Sequence, residues 1–383
     1  MKKILLLTVL ATGLWLLASS KAVAQDNVYY MRIRIIIEDP SVSLSIKGQY
    51  AIETLQNHEV LLESKDSLEE TEVFPTNAGV KIGQNDFNVY GIRILPTVGA
   101  NIEINKKKYR GIVDIIRTKN MKLTVVNHVD IEEYLYGVLY HEVPHDWPME
   151  TLMAQAIAAR TYAVYRKTKL PNKDYDLTND QYSQMYGGKE GERWRGKWAI
   201  NMTKGKVLKY KGEILPAFYS SCCGGHTENA DVVWGIDLKP LKGRACSYCK
   251  ESPYYNWKAS FSFQQIEEKL NKTDFKCAGI KWVKVKDVDN SGRPKFITVT
   301  DKKGDKNIPA DKFRLALGGY EFLKSTKFKI DIDMTKGVFF NGHGWGHGVG
   351  MCQWGAKGLA DKGYEHDKIL AFYYPDAVIE KIS

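Results

Sequence analysis

Two prolines and a run of helix-periodic apolar residues meet in Asp130-Ile-Glu-Glu-Tyr-Leu-Tyr-Gly-Val-Leu-Tyr-His-Glu-Val-Pro144-His-Asp-Trp-Pro148. Asp130 followed by Glu133 resembles a capping box. Ile131, Tyr134, Leu135 and Val138 then fall at i, i+3, i+4 and i+7, one face of a helix. Pro144 and Pro148 disfavour helical geometry in the residues before them, which predicts an end near Tyr140. A second helix is predicted from Pro148, with Glu150 in its first turn, where the helix dipole favours an acid. Met149, Leu152, Met153, Ala156 and Ile157 supply its buried face. Ala154, Ala156, Ala158, Ala159 and Ala163 would let another element approach closely. The result is a helix–elbow–helix with Glu142 in the elbow.

Strands are predicted on both sides of this unit. Met31–Ile37, Val60–Leu62, Val89–Leu95 and Leu123–Val126 are apolar, β-branched or alternating, and polar turns such as Asp39-Pro40 and Asn105–Lys108 separate them. Strands resume from Gly205 to Ser220 and from Trp257 to about Phe328. A short helix is predicted at Phe263–Leu270 and a hairpin turn at Asn290–Arg293. A glycine-rich segment, Gly342–Gly350, leads into helices around Met351–Asp361 and His366–Tyr373, the last stopped by Pro375. The fold class is therefore α+β: strand-rich, with a helix–elbow–helix and C-terminal helices. The organisation reads as a strand-rich N-terminal region, 25–127, followed by a region, 128–383, with a strand-rich segment at about 257–335.

The first residues indicate the compartment. Lys2 and Lys3, an apolar Ile4–Leu17 and an Ala22-Val23-Ala24 site read as a signal peptide over residues 1–24. The apolar run is shorter than the roughly 18–20 residues a membrane span needs. No Cys follows it to form a lipobox. The expected location is outside the cytoplasm: periplasm, wall or medium. The net charge of +10 loses Lys2, Lys3 and Lys21 and no acid on cleavage, leaving +7. A basic balance suits an anionic partner such as wall polymer or membrane surface. Nucleic acid does not fit an exported chain with no binding motif for it.

Glu133–Val138, His141-Glu-Val-Pro144, Trp147–Glu150 and Ala154-Gln-Ala-Ile-Ala-Ala-Arg-Thr-Tyr-Ala163 resemble the hallmark segment of the SpoIID/LytB family. In the same order follow Ser183-Gln-Met-Tyr186, Thr203–Val207, Gly224-Gly-His-Thr227 with Trp234, Leu323–Phe328, Gly346–Gly355 and Tyr373-Tyr-Pro375. A series in order is far more specific than any one segment. The resemblance implies a lytic transglycosylase that cuts the glycan strands of peptidoglycan between MurNAc and GlcNAc, leaving 1,6-anhydro ends. It places the catalytic acid/base on Glu142. It also implies an alternative, because LytB-type members are modifiers of a wall amidase: a wall-binding enhancer with no turnover of its own.

Within the matched segments, Gln155, Arg160, Gln184, Tyr186, His226 and His347 are candidate substrate contacts, Arg160 being equally suited to a structural ion pair. Four-residue spacing of His343 and His347 would suit a metal on a helix, but the glycines at 342, 344, 346, 348 and 350 argue against one. No cofactor is required for the chemistry. Cys222-Cys223 precedes a Cys246-Ser-Tyr-Cys249 knuckle, and these four fit either a structural zinc site or, in an exported chain, disulfides. Adjacent cysteines rarely both fit one tetrahedral site without strain, and His226 is a possible substitute ligand. Cys277 stands alone. Cys352 stands where the family would be expected to carry Ser and reads as a small core residue.

Overall fold

Tyr30–Asp39 alternates inward and outward side chains, with Met31, Ile33 and Ile35 buried, as a strand with one face on a core must. The computed structural model describes residues 29–169, 174–180 and 183–382; the expected signal peptide lies outside them. Tyr30–Asp39 belongs to a seven-stranded sheet in the order Leu177–Thr178, Tyr30–Asp39, Leu123–Asp130, Ile112–Arg117, Gly91–Pro96, Tyr50–Thr54 and Val60–Ser64. A six-stranded sheet contains Lys107–Tyr109, Asn101–Ile104, Val42–Lys47, Leu68–Pro75, Val80–Ile82 and Asn85–Phe87. Ile33, Ile52 and Ile94 of the first and Leu44, Ile46 and Val73 of the second share one apolar core. That core continues through Ile131, Tyr134, Leu135 and Val138 into the helices that follow.

Asp130 ends one strand, paired with Tyr30, and starts helix α1 (Ile131–Glu142). Its carboxylate accepts from the N–H groups of Glu132 and Glu133 at 2.9 and 3.3 Å, the Asp130 half of the expected capping box without the return bond from Glu133. Glu133 reaches Arg110 at 3.4 Å. The helix runs two residues past the predicted end at Tyr140, so Glu142 is its last residue and not part of the elbow. The reason is that proline restricts the residue directly before it: Val143 is extended, φ −140° and ψ 145°, while His141 and Glu142 stay helical.

Helix α2 (Met149–Lys169) starts one residue after Pro148. Thr151–Val164 is buried throughout, as an apolar helix running between packed layers must be. Leu152, Met153, Ala156 and Ala159 join the sheet core, whereas Ala154, Ile157 and Ala158 join a second core with Leu208, Met351, Leu370 and Tyr373. The alanines thus let α2 serve as the seam between two cores. Helix α3 (Trp194–Met202) packs on α1 and α2, and the C-terminal helices Gln353–Ala360 and His366–Tyr373 close onto α2.

The segment after Trp257 has a core of its own, built on Ile297, Phe313 and Phe340. Asn256–Phe261, Gly337–His343 and Phe328–Asp333 form one antiparallel sheet; Trp282–Val288, Pro294–Asp301 and Gly304–Pro309 form another. The predicted helix Phe263–Leu270 is present, fixed by a reciprocal Ser262/Gln265 capping box. The predicted turn connects Trp282–Val288 to Pro294–Asp301, with Gly292 at φ +82°. The fold is the α+β class read from the sequence. Among the described residues, no helix is long and apolar enough to cross a membrane.

Candidate functional site

Glu142 is half-buried at the end of α1. The Met185 N–H donates to its Oε1 at 3.4 Å, and the side chains of Gln353 and Tyr219 also hydrogen-bond to it. Burial pushes its pKa up from 4.5 to about 7, and the three hydrogen bonds only partly oppose this. None of the three comes from a cation, and among the described residues no second carboxylate is a leading influence on its charge. The carboxyl is therefore protonated in a large fraction of molecules at neutral pH. The chief cause is removal from water. Next to it, His141 and Met185 are exposed.

A second layer holds these partners. The Tyr219 hydroxyl accepts from Gln184 Nε2 at 2.8 Å, which leaves its proton for Glu142. Gln184 also donates to the Ala159 carbonyl at 3.3 Å and accepts from the Tyr134 hydroxyl at 3.0 Å. Burial holds the Tyr134 and Tyr219 hydroxyls well above the usual tyrosine range, so both remain donors. Gln353 Nε2 approaches Gln155 Oε1 at 3.5 Å, while Gln155 Nε2 is buried without a partner. Trp147 of the elbow packs edge-on against Trp354, ring centroids 4.9 Å apart.

This arrangement corrects several assignments made from sequence. Gln155 and Gln184, at 0 % and 1 % exposure, hold the partners of Glu142 and face no open surface. Tyr186 is a core residue: its hydroxyl donates to Asn127 at 2.9 Å and its ring lies 5.1 Å from that of Tyr134. Gly137 makes room for it, since a Cβ there would come within 2.6 Å of that ring. Arg160 is fully buried and forks onto Glu132 at 3.0 and 2.5 Å, with further bonds to the Ile200 and Lys206 carbonyls. It takes the structural role. His226 sits in the cysteine-rich loop, its Nδ1 2.6 Å from the Thr227 carbonyl and its backbone bridged to Ala245.

His347 braces the site from behind. Its Nδ1 accepts from the Val349 N–H at 3.0 Å, its ring hydrogen-bonds to the Tyr219 backbone, and it packs 4.8 Å from the Trp234 ring. Burial pushes its pKa down to about 3, so it is neutral, and its hydrogen bonds leave it unsuited to a metal. Tyr219 and Gln353 were not singled out from the sequence. Gln353 lies in a matched segment and Tyr219 between two, but the contact with Glu142 links parts of the chain remote in sequence. The hollow lined by Lys47, Asn101, Lys108, Lys189 and Glu190 does not include Glu142; the chemistry of the carboxyl, not the size of a cavity, marks the site.

The predicted four-cysteine set is also revised. Cys223, Cys246, Cys249 and Cys352 bring their sulfurs together, all within 4.8 Å of one another. The Cys222 sulfur faces the Cys249 carbonyl at 3.9 Å instead. Cys222 lies at the edge of this cluster, its thiol beside those of Cys249 and Cys352, while Cys352 joins the four that are all mutually close.

A mixed α+β fold carrying a carboxyl of raised pKa at the end of a helix, before a proline elbow, describes a class, and comparison with known proteins specifies it. The Stage II sporulation protein (SpoIID) family matches residues 119–210, and a domain of unknown function (DUF8618) matches residues 241–350. The chain belongs to the SpoIID family. It is 33% identical over 360 residues to an uncharacterized protein of Brachyspira hyodysenteriae, covering 92% of this chain and 93% of that one. It is 30% identical to the amidase enhancer of Bacillus subtilis, covering 79% of this chain and 49% of that protein, so it spans about half of that relative's length. It is 29% identical to the stage II sporulation protein D of Bacillus amyloliquefaciens, covering 68% of this chain and 76% of that one.

Proposed function

We propose that this protein is an exported lytic transglycosylase that cuts peptidoglycan glycan strands between MurNAc and GlcNAc, with Glu142 as its acid and base. The supporting observation is one carboxyl, pushed up to about 7, beside exposed residues and, among the described residues, with no second carboxylate as a leading influence on it. Hydrolytic glycosidases need two carboxylates, one to protonate the leaving oxygen and one to activate water or attack the sugar. A lytic transglycosylase needs one, because its nucleophile is the C6 hydroxyl of the same muramic acid ring. Protonated Glu142 gives its proton to the glycosidic oxygen as the bond to C1 breaks. The C6 oxygen then bonds to C1, and its proton returns to Glu142. No water is consumed, and the carboxyl ends the cycle as it began. Holding the hydroxyl near C1 makes the displacement intramolecular, an advantage of up to roughly 7–11 kcal/mol.

The donors around Glu142 suit both halves of the cycle. Met185 N–H, Tyr219 and Gln353 stabilise the carboxylate once its proton has left, while burial keeps it reprotonated near neutrality. The substrate class is supported by the relatives named stage II sporulation protein D and by the exported, basic chain read from the sequence.

The experiment is mass spectrometry of purified glycan strands, with and without stem peptides, digested in ordinary and oxygen-18 water. Anhydro ends without label are expected. Labelled reducing ends would make the protein a hydrolase. A second reading follows from the relative named amidase enhancer: wall binding that stimulates an amidase. No new ends from either glycan, with increased release of stem peptides by an added wall amidase, would establish it instead.

A further inference from the structure

We propose that Cys223, Cys246, Cys249 and Cys352 bind one zinc ion as a closed four-thiolate site that braces the two side chains holding Glu142. A tetrahedral site with Zn–S near 2.3 Å places its sulfurs roughly 3.8 Å apart. Here all four sulfurs lie within 4.8 Å of one another, and Cys223 and Cys249 are 3.6 Å apart. The cluster is four-way and does not resolve into two pairs as two disulfides would. All four side chains are buried, at 0 or 1 % exposure, so the charge of four thiolates would have no water to meet it and calls for a cation at the centre.

The surroundings are those of a thiolate site. The N–H groups of Cys223 and Gly355 point at the Cys352 sulfur, at 3.2 and 3.3 Å. That sulfur caps the N-terminus of the helix Gln353–Ala360, where the dipole favours negative charge. The Tyr373 hydroxyl lies 3.3 Å from the Cys246 sulfur. Gly355 has no room for a side chain, because a Cβ would come within 2.9 Å of the Cys246 sulfur. Tetrahedral sulfur selects zinc or iron, and four closed thiolates are the ligand set of a structural zinc site.

The ligands come from three stretches that would otherwise meet only through packing. Cys223 follows the strand Tyr219–Ser220, Cys352 ends Met351–Cys352, and these two strands pair in parallel. Cys246 and Cys249 close the loop across them. Tyr219 therefore lies on one ligand strand and Gln353 next to a ligand, and both bond to Glu142. Metal loss would loosen the site without removing a group from it.

The test uses the full chain purified without chelator, and its primary readout does not depend on Glu142 chemistry. Elemental analysis is expected to give one zinc per chain. Thiol titration after denaturation with chelator is expected to find all six cysteines reduced. Cobalt exchanged for zinc should show the intense absorption of a tetrahedral thiolate complex. Cys222→Ser should keep the metal and Cys352→Ser should lose it. Should Cys352→Ser fail to fold, metal content and cobalt spectrum of the unaltered protein decide alone. Two disulfides with less than a tenth of a zinc per chain would overturn the proposal, as would iron in place of zinc, or metal lost from Cys222→Ser and kept by Cys352→Ser. If zinc is found and no anhydro ends are made, the metal site stands and the transglycosylase reading fails.

Discussion

Replacing Glu142 by Gln should abolish glycan cleavage and at the same time stabilise the fold at alkaline pH. In the folded protein the Glu142 carboxyl is held at about 7, against 4.5 in its ordinary state. The native state thus binds a proton more tightly than the unfolded chain. The sign follows from linkage: this group's contribution to stability is greatest below pH 4.5, falls as pH rises from 4.5 to about 7, and is level above. Ionising a carboxyl held that far from its ordinary value costs about 3 kcal/mol. Because Glu142 is half-buried and partly screened, about 1–3 kcal/mol is the expected loss. Gln keeps the shape and can accept from the Met185 N–H, yet never carries the charge. The stability of Glu142→Gln minus that of the unaltered protein should therefore grow between pH 4.5 and 8.5 by that amount, a shift of a few degrees in melting temperature. Matched thermal melts at pH 4.5, 6 and 8.5 read the difference. A difference that does not change with pH, or that favours Glu at pH 8.5, would refute the placement of this carboxyl out of water. More than a few per cent residual cleavage by the variant would refute its role as the acid.

Activity on glycan strands should fall on the alkaline side with an apparent pKa near 7, since the acid must hold its proton; a limb at or below 4.5 in the pH profile would contradict the site. Tyr219→Phe removes a hydrogen bond that favours the carboxylate, so the alkaline limb should move upward and the maximal rate fall tenfold to a hundredfold, on the order of 1.5–3 kcal/mol; steady-state rates across pH check both. Arg160→Ala leaves Glu132 buried and unpaired and should cost about 3–5 kcal/mol in denaturant melts. The molecules that remain folded should keep their alkaline limb. Gly137→Ala drives a methyl to within 2.6 Å of the Tyr186 ring and the Gly188 carbonyl and should cost about 1–3 kcal/mol, read in the same melts.

Much of the fold was legible because it rests on local signals. The alternation of Met31–Ile37, the Asp130 cap, the elbow prolines and the turn at Asn290–Arg293 each act within a few residues. The end of α1 lies two residues beyond the one predicted because Pro144 restricts only the residue directly before it. Glu142 is singled out in the sequence only by the ordered series of motifs, since a lone loop carboxylate has no signature of its own. The roles of Arg160, Tyr186, Gln155 and Gln184 were not legible at all: a polar residue in a matched segment reads the same whether it faces substrate or holds a neighbour. Burial separates the two cases, and burial here is set by α2 running between two cores.

In the sequence Cys352 reads as core filling for the same physical reason. Three consecutive residues at that point perform three tasks in different directions. Cys352 turns its sulfur into the cysteine cluster, Gln353 bonds to Glu142, and Trp354 packs against Trp147 of the elbow. At the start of a helix, successive side chains point about 100° apart, so three neighbours can serve three sites only in one register. A one-residue slip would withdraw the sulfur, the amide and the indole together. The Tyr219–Ser220 pairing with Met351–Cys352 and the Gly355 N–H on the Cys352 sulfur fix that register. The carboxyl at the end of α1 thus depends for its position on a segment more than two hundred residues away. Fold, sulfur cluster and carboxyl meet at this one helix start.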